Sequence, residues 1–181
     1  MKSIFSLLCL FSMFFSFSFK APVFSDVEEL RNLGEVYFNK GEFERALPYF
    51  KKAAAQNDSE AQFFLGEIYF NGHDAVSQNY ETAREWFLLA AAQNHAKAQF
   101  YLGMIYSEGY GVEANAEEAF QWYERSAQNG DMDALYNLAC CYKEGFGIEQ
   151  DLEKAQEIYI QLAEEDYFFA QIMLSEMQST D

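Results

Sequence analysis

From residue 27 onward, large apolar side chains return every three or four positions, the period of a helix with one buried face. Two kinds of stretch alternate. The first carries Leu33-Gly34 with Tyr37, then Leu65-Gly66 with Tyr69, Leu102-Gly103 with Tyr106, and Leu138-Ala139 with Tyr142. The second centres on Ala46, Ala83, Ala119 and Ala155, each followed four residues later by Phe50, Phe87, Tyr123 or Tyr159. Recurrence at a fixed period is the mark of stacked supersecondary units, and the pattern predicts an all-α chain. The expected architecture is an α/α superhelix, a solenoid of about four helix-turn-helix repeats, with a C-terminal capping helix around Ala170 and Leu174.

The spacing separates rigid joints from elastic ones. From Ala46 to Leu65, Ala83 to Leu102, Ala119 to Leu138 and Ala155 to Leu174 the interval is 19 residues each time. From leucine to alanine within a unit it is 13, then 18, 17 and 17, so length variation falls in the loop joining the two helices. Small residues at 34, 66, 103 and 139 sit inside apolar helical stretches, where glycine costs ~1 kcal/mol relative to alanine. Close packing between paired helices would offset that cost, with the second-helix alanines as the complementary small surface and the four tyrosine rings buried beside it.

The first unit, Leu33-Gly34-Tyr37-Ala46-Phe50-Ala53 with a short loop around Gly41, resembles a tetratricopeptide repeat. The later units resemble Sel-1-like repeats, whose longer loop carries a Gly-x-Gly-Val element, a following Asp and a Lys-Ala pair. Here that reads Gly109-Tyr110-Gly111-Val112, Asn115 and Glu118-Ala119 in the third unit, and Gly145-Phe146-Gly147-Ile148, Asp151 and Lys154-Ala155 in the fourth. The second unit keeps Leu65-Gly66, Tyr69, Gly72, Ala83 and Trp86 but has His73-Asp74-Ala75-Val76 in place of the second glycine. The resemblance implies a tetratricopeptide-like repeat over 27–60, Sel-1-like repeats over 61–97, 98–133 and 134–169, and a capping helix with its tail over 170–181.

The N-terminus follows other rules. Lys2 precedes an apolar run of 16 residues from Ile4 to Phe19, shorter than the ~20 needed to cross a bilayer. That is a signal-peptide pattern, expected to occupy residues 1–18 with a linker over 19–26. It predicts a secreted or periplasmic protein, lumenal in a eukaryote, with no membrane association beyond the signal. The formal net charge of −17 would repel phosphate backbones, so nucleic-acid binding is not expected. Adjacent Cys140 and Cys141 point about 100° apart on a helix, which disfavours a disulfide between them.

The sequence offers little for catalysis. Gly109-Tyr110-Gly111-Val112-Glu113-Ala114 fits a dinucleotide fingerprint only in letters, because helix rather than strand precedes it; its glycines are expected to supply positive φ in a turn. His73 and His95 lack metal-ligand spacing and are expected at the surface, and no cofactor or metal is implied. Some secreted Sel-1-like proteins are classed as β-lactamases, but their cysteine pairs and the Ser-x-x-Lys and Lys-Thr-Gly elements are absent here. Binding is therefore the expected role, as a scaffold or adaptor, with a hydrolase or a subunit of an envelope assembly as alternatives.

In tetratricopeptide-like stacks the first helices line a concave face. The residues two positions before each leucine are Arg31, Phe63, Phe100 and Tyr136, and three aromatics in one column suit a groove that anchors a protein or peptide. The same rings would equally suit the core between units. Phe63, Glu67, Phe70, Phe100, Met104 and Tyr136 form the expected partner-binding set. Glu28, Glu35, Glu60 and Glu67 flank its N-terminal end, which favours a partner with basic residues.

Overall fold

A computed structural model of the chain describes residues 26–73 and 75–178; the expected signal segment, its cleavage region and the tail from Ser179 lie outside them. Nine helices occupy the described residues. They are α1 (Val27–Phe38), α2 (Phe43–Ala54), α3 (Ser59–Asn71), α4 (Tyr80–Ala91), α5 (Ala96–Glu108), α6 (Ala116–Gln128), α7 (Met132–Glu144), α8 (Leu152–Glu164) and α9 (Phe168–Gln178). A single isolated β-bridge, between His73 and Val76, is the extent of β pairing among them. Odd-numbered helices are the first of each pair and even-numbered the second. Each helix packs on the next, and α1, α3 and α5 also touch across units. No two second helices approach one another as closely, so α1, α3 and α5 lie on the inner side of the curve.

The fixed interval between units has a local cause. Each second helix is followed, two or three residues past its end, by a residue with positive φ, namely Asn57, Asn94, Gly130 or Asp166. The next amide then turns back to a carbonyl in the helix's last turn: Asp58 to Ala53, His95 to Ala90, Asp131 to Ser126 and Tyr167 to Leu162. Three of those residues immediately cap the following helix, as Asp58 Oδ1 accepts from Ala61 N–H, His95 Nδ1 from Ala98 N–H, and Asp131 Oδ1 from Ala134 N–H. The turn cannot lengthen without losing one bond or the other.

The variable loop closes on one conserved bond. The amide of Glu42, Asn79, Asn115 or Asp151, the residue before each second helix, donates to the carbonyl of Tyr37, Tyr69, Tyr106 or Tyr142. Asn79, Asn115 and Asp151 also cap their helices through a side-chain oxygen. What lies between these anchors is free to differ. Gly109 and Gly111 supply the positive φ expected of them, at +73 and +68, and Gly145 does the same in the fourth unit at +72. The second loop instead closes through the His73–Val76 bridge after Gly72, which has φ +64.

Small residues of the first helices receive rings rather than alanines. A Cβ added at Gly66 would stand 2.5 Å from the Phe87 ring, at Gly103 2.5 Å from Tyr123, and at Gly34 2.6 Å from Phe50. The second-helix alanines, Ala46, Ala83, Ala119 and Ala155, are fully buried, but the atoms nearest these glycines belong to the rings. Nor are all four repeat tyrosines interior: Tyr142 is buried, whereas Tyr37, Tyr69 and Tyr106 are half-buried. Cations lie over three of the four rings, with Arg45 4.3 Å from the Tyr37 centroid, Lys51 6.0 Å from that of Tyr69 and Lys154 4.5 Å from that of Tyr142.

Candidate functional site

The inner face is built from residues spaced by one helical turn on α1, α3, α5 and α7. Of the six expected site residues, Phe100, Met104 and Tyr136 are half-buried, with Phe100 and Met104 one turn apart on α5 and Tyr136 on α7 in the register of Phe100. Phe100 lies 6.0 Å from Tyr123, and Tyr136 lies 5.8 Å from Tyr159, so each ring rests on its own second helix while keeping an open edge. Phe169 at the start of α9, 57% exposed, lies 6.1 Å from Tyr136, three residues before the column's own position on that helix, Ile172.

Phe63 takes the other course, into the core between units. It is 5% exposed, stacked on His95 at 4.7 Å and close to Phe87 and Tyr101. It forms the floor of the face. Phe70 is also placed elsewhere, at the loop end of the second unit, among Tyr80, Tyr101 and Tyr110 at 5.2 to 5.5 Å. The physical reason is that position 70 lies more than one turn past the small residue, where the helix has already reached the loops.

Charge is ordered along the same face. Arg31 at the first position of the column donates to Asp58 at 2.8 Å and pairs with Glu35 at 3.4 Å, so it is occupied within the fold. Burial pushes the Glu35 and Glu67 carboxyls above their ordinary value, with Arg31 and Lys97 respectively opposing the shift. Glu60 moves the other way, because its hydrogen bond with His95 favours the carboxylate.

His95 is a correction to the sequence reading. Its side chain is 11% exposed and joins α5 to α3 through three contacts: the cap of α5, the Phe63 ring, and Glu60 Oε2 at 3.0 Å from Nε2. The expectation of a surface histidine failed because its place equals that of Asp58 and Asp131, a capping register the apolar pattern does not mark. His73, by contrast, is half-buried and stacks on Phe43 at 3.5 Å.

Reactive groups are muted. Cys140 and Cys141 are free thiols. Burial pushes Cys141 up to about 12, which keeps it protonated at neutral pH. Cys140 Sγ lies 3.2 Å from the Tyr159 hydroxyl. Among the described residues no three His, Cys, Asp or Glu side chains are grouped so as to hold a metal. No described helix is long and apolar enough to cross a membrane.

With this geometry in hand, comparison with known proteins is specific. The family model described as Sel1 repeat matches four times, over residues 30–58, 59–95, 96–131 and 133–167. Among solved structures, a Sel1 repeat protein from Oxalobacter formigenes is 36% identical with a TM-score of 0.77, over 83% of this chain and 61% of that one. A protective antigen of uropathogenic Escherichia coli displaying an SLR fold is 34% identical with a TM-score of 0.77, over 84% of this chain and 33% of that one. The chain thus spans less than two thirds of either. Cysteine-rich protein B of Helicobacter pylori, 18% identical at a TM-score of 0.57 over 72% of this chain and 93% of that one, shares the fold. No curated protein matches the chain.

Proposed function

The chain belongs to the Sel1 repeat family, and from that premise we propose that it is a scaffold binding a segment of another protein along its inner face, with no chemistry of its own. The observation that carries this reading is the group of Phe100 and Met104 on α5 and Tyr136 on α7, three half-buried apolar side chains on two consecutive first helices. Half-buried rings held by their own second helices are preorganised, so a partner gains contact area without first ordering them. Glu35, Glu60 and Glu67 at the N-terminal end of the column favour a partner segment with basic residues. Glu67 serves this role partly through its cost: a cation beside it restores the ionised form that burial disfavours.

The same reading places the mature chain in an exported compartment, on the pattern of Lys2 and Ile4 to Phe19. Recovery from periplasm or medium with a new terminus near Phe19 is expected; an intact Met1 in the cytosol would contradict it. For the face itself, the test is affinity capture with the mature chain and with a Phe100→Ser/Tyr136→Ser variant of unchanged helicity. A specific partner retained by the first and lost at least tenfold by the second is the expected result. Equal retention would remove the inner face from the account.

A further inference from the structure

Among the side-chain caps of the described helices, His95 alone loses its acceptor when it takes a proton. In the same place before α3 and α7 stand Asp58 and Asp131, whose oxygens accept from the Ala61 and Ala134 amides. A carboxyl that gains a proton still has an oxygen free to accept; an imidazole that gains one has no acceptor left. Before α5 the acceptor is His95 Nδ1, 3.2 Å from the Ala98 amide nitrogen. A ring nitrogen that accepts carries no hydrogen, so the neutral ring holds its proton on Nε2, 3.0 Å from Glu60 Oε2. The two bonds thus fix one tautomer, and that tautomer ties the start of α5 to α3.

A second proton has only Nδ1 to go to, and there it meets the Ala98 amide, donor against donor. Turning the ring over does not help, because both nitrogens then carry hydrogens. Ala98 is fully buried, so water does not replace the lost acceptor. The charged ring nonetheless keeps its hold on α3. Glu60 bonds it as a carboxylate, a form the same bond favours, and the Phe63 ring stacks on it at 4.7 Å. The other charges around the pair are Lys97 on α5 and Arg31 on α1, which both act on Glu60, with Glu67 on α3 and Asp131 before α7, which Lys97 also reaches. With Glu60, Glu67 and Asp131 against Lys97 and Arg31, the surroundings accept a further positive charge while the cap does not.

Several elements meet at the turn that this cap closes. The Ala96 carbonyl accepts from the Ser126 hydroxyl of α6 at 2.8 Å. The buried Gln99 side chain donates to the Ala91 carbonyl of α4 at 3.2 Å and accepts from Asn129, just past α6, at 2.8 Å. We propose that His95 is a pH switch at the joint between the second and third units. Protonation releases the first turn of α5 while the ring stays with Glu60 and Phe63 on α3. The switch belongs to the fold and does not depend on what the inner face binds.

Nuclear magnetic resonance of the full chain reads each part of this separately. At about pH 7.5 the ring nitrogen shifts of His95 should report a hydrogen on Nε2 alone. As the pH is lowered to about 5, across the range in which imidazole changes charge, the ring should titrate. The protection factor of the Ala98 amide should fall with that titration by about fivefold, the loss of one cap. Protection of Ala61, capped by Asp58, should change by less than about twofold. His95→Asn keeps a side-chain oxygen for the cap and has nothing to titrate, so Ala98 protection should stay level over the same range. Glu60→Gln leaves the cap but weakens the hold on the charged ring, and should move the ring's titration to lower pH. A hydrogen on Nδ1 at neutral pH, a ring still unprotonated at about pH 5, or Ala98 protection that ignores the titration would overturn the proposal. So would a His95→Asn chain that responds to pH as the parent does.

Discussion

At Gly66 the first helix gives up about 1 kcal/mol of helix propensity and in return admits a ring against its backbone. With a Cβ only 2.5 Å from Phe87 carbons, and Phe87 itself fully buried, Gly66→Ala should destabilise the chain by about 1 to 3 kcal/mol in urea unfolding. Adding Phe87→Leu should recover part of the loss; a Gly66→Ala chain as stable as the parent would contradict the close approach. The small residue was legible in the sequence because glycine in an apolar helix needs a reason. Its partner was not, since alanine and ring lie one turn apart on the same face and only the side-chain direction chooses between them. Glu67 gives a second test at this scale. Burial raises its carboxyl above 4.5, so its effect favours the fold at acid pH and is lost as pH rises through the folded value. Glu67→Gln should therefore raise the melting temperature at pH 7 and bring no gain at a pH well below 4.5, in paired calorimetric scans.

Among the elements, α3, α5 and α7 start at side-chain caps, and the second helices from α4 onward add to such a cap the bond to a tyrosine carbonyl. Asp131→Ala removes the acceptor for Ala134 N–H at 2.8 Å and should cost about 1 kcal/mol, with hydrogen exchange quickened in the first turn of α7. Asp131→Asn should restore most of it. Such caps were hidden in the sequence, where Asp58, His95 and Asp131 look like unrelated polar residues at unit ends. Helix existence and pairing were legible because they depend on period, and period survives changes of residue type. Cap identity depends on one oxygen or nitrogen at one place, so His95 read as surface while it closes a helix and stacks on Phe63. Phe63 and Phe100 illustrate the same limit. Their equivalent positions in the repeat could not reveal that His95 and Tyr101 cover the first ring, leaving the second half-open.

For the molecule as a whole, α1, α3 and α5 touch across units while the second helices stay further apart, which curves the stack toward its first helices, the side proposed to carry the apolar column. The overall charge of −17 then acts at longer range, so partner affinity should fall as salt rises from about 0.05 to 0.5 M, chiefly through slower association. A salt-independent association rate would remove steering from the account. The most direct measurement of the inner-face claim is site-specific photo-crosslinking in the assembled complex. A photoreactive side chain at Met104, on the inner face of α5, should crosslink the captured partner, whereas one at Leu89, exposed on the second helix α4, should not. Crosslinking from Leu89 with none from Met104 would contradict it.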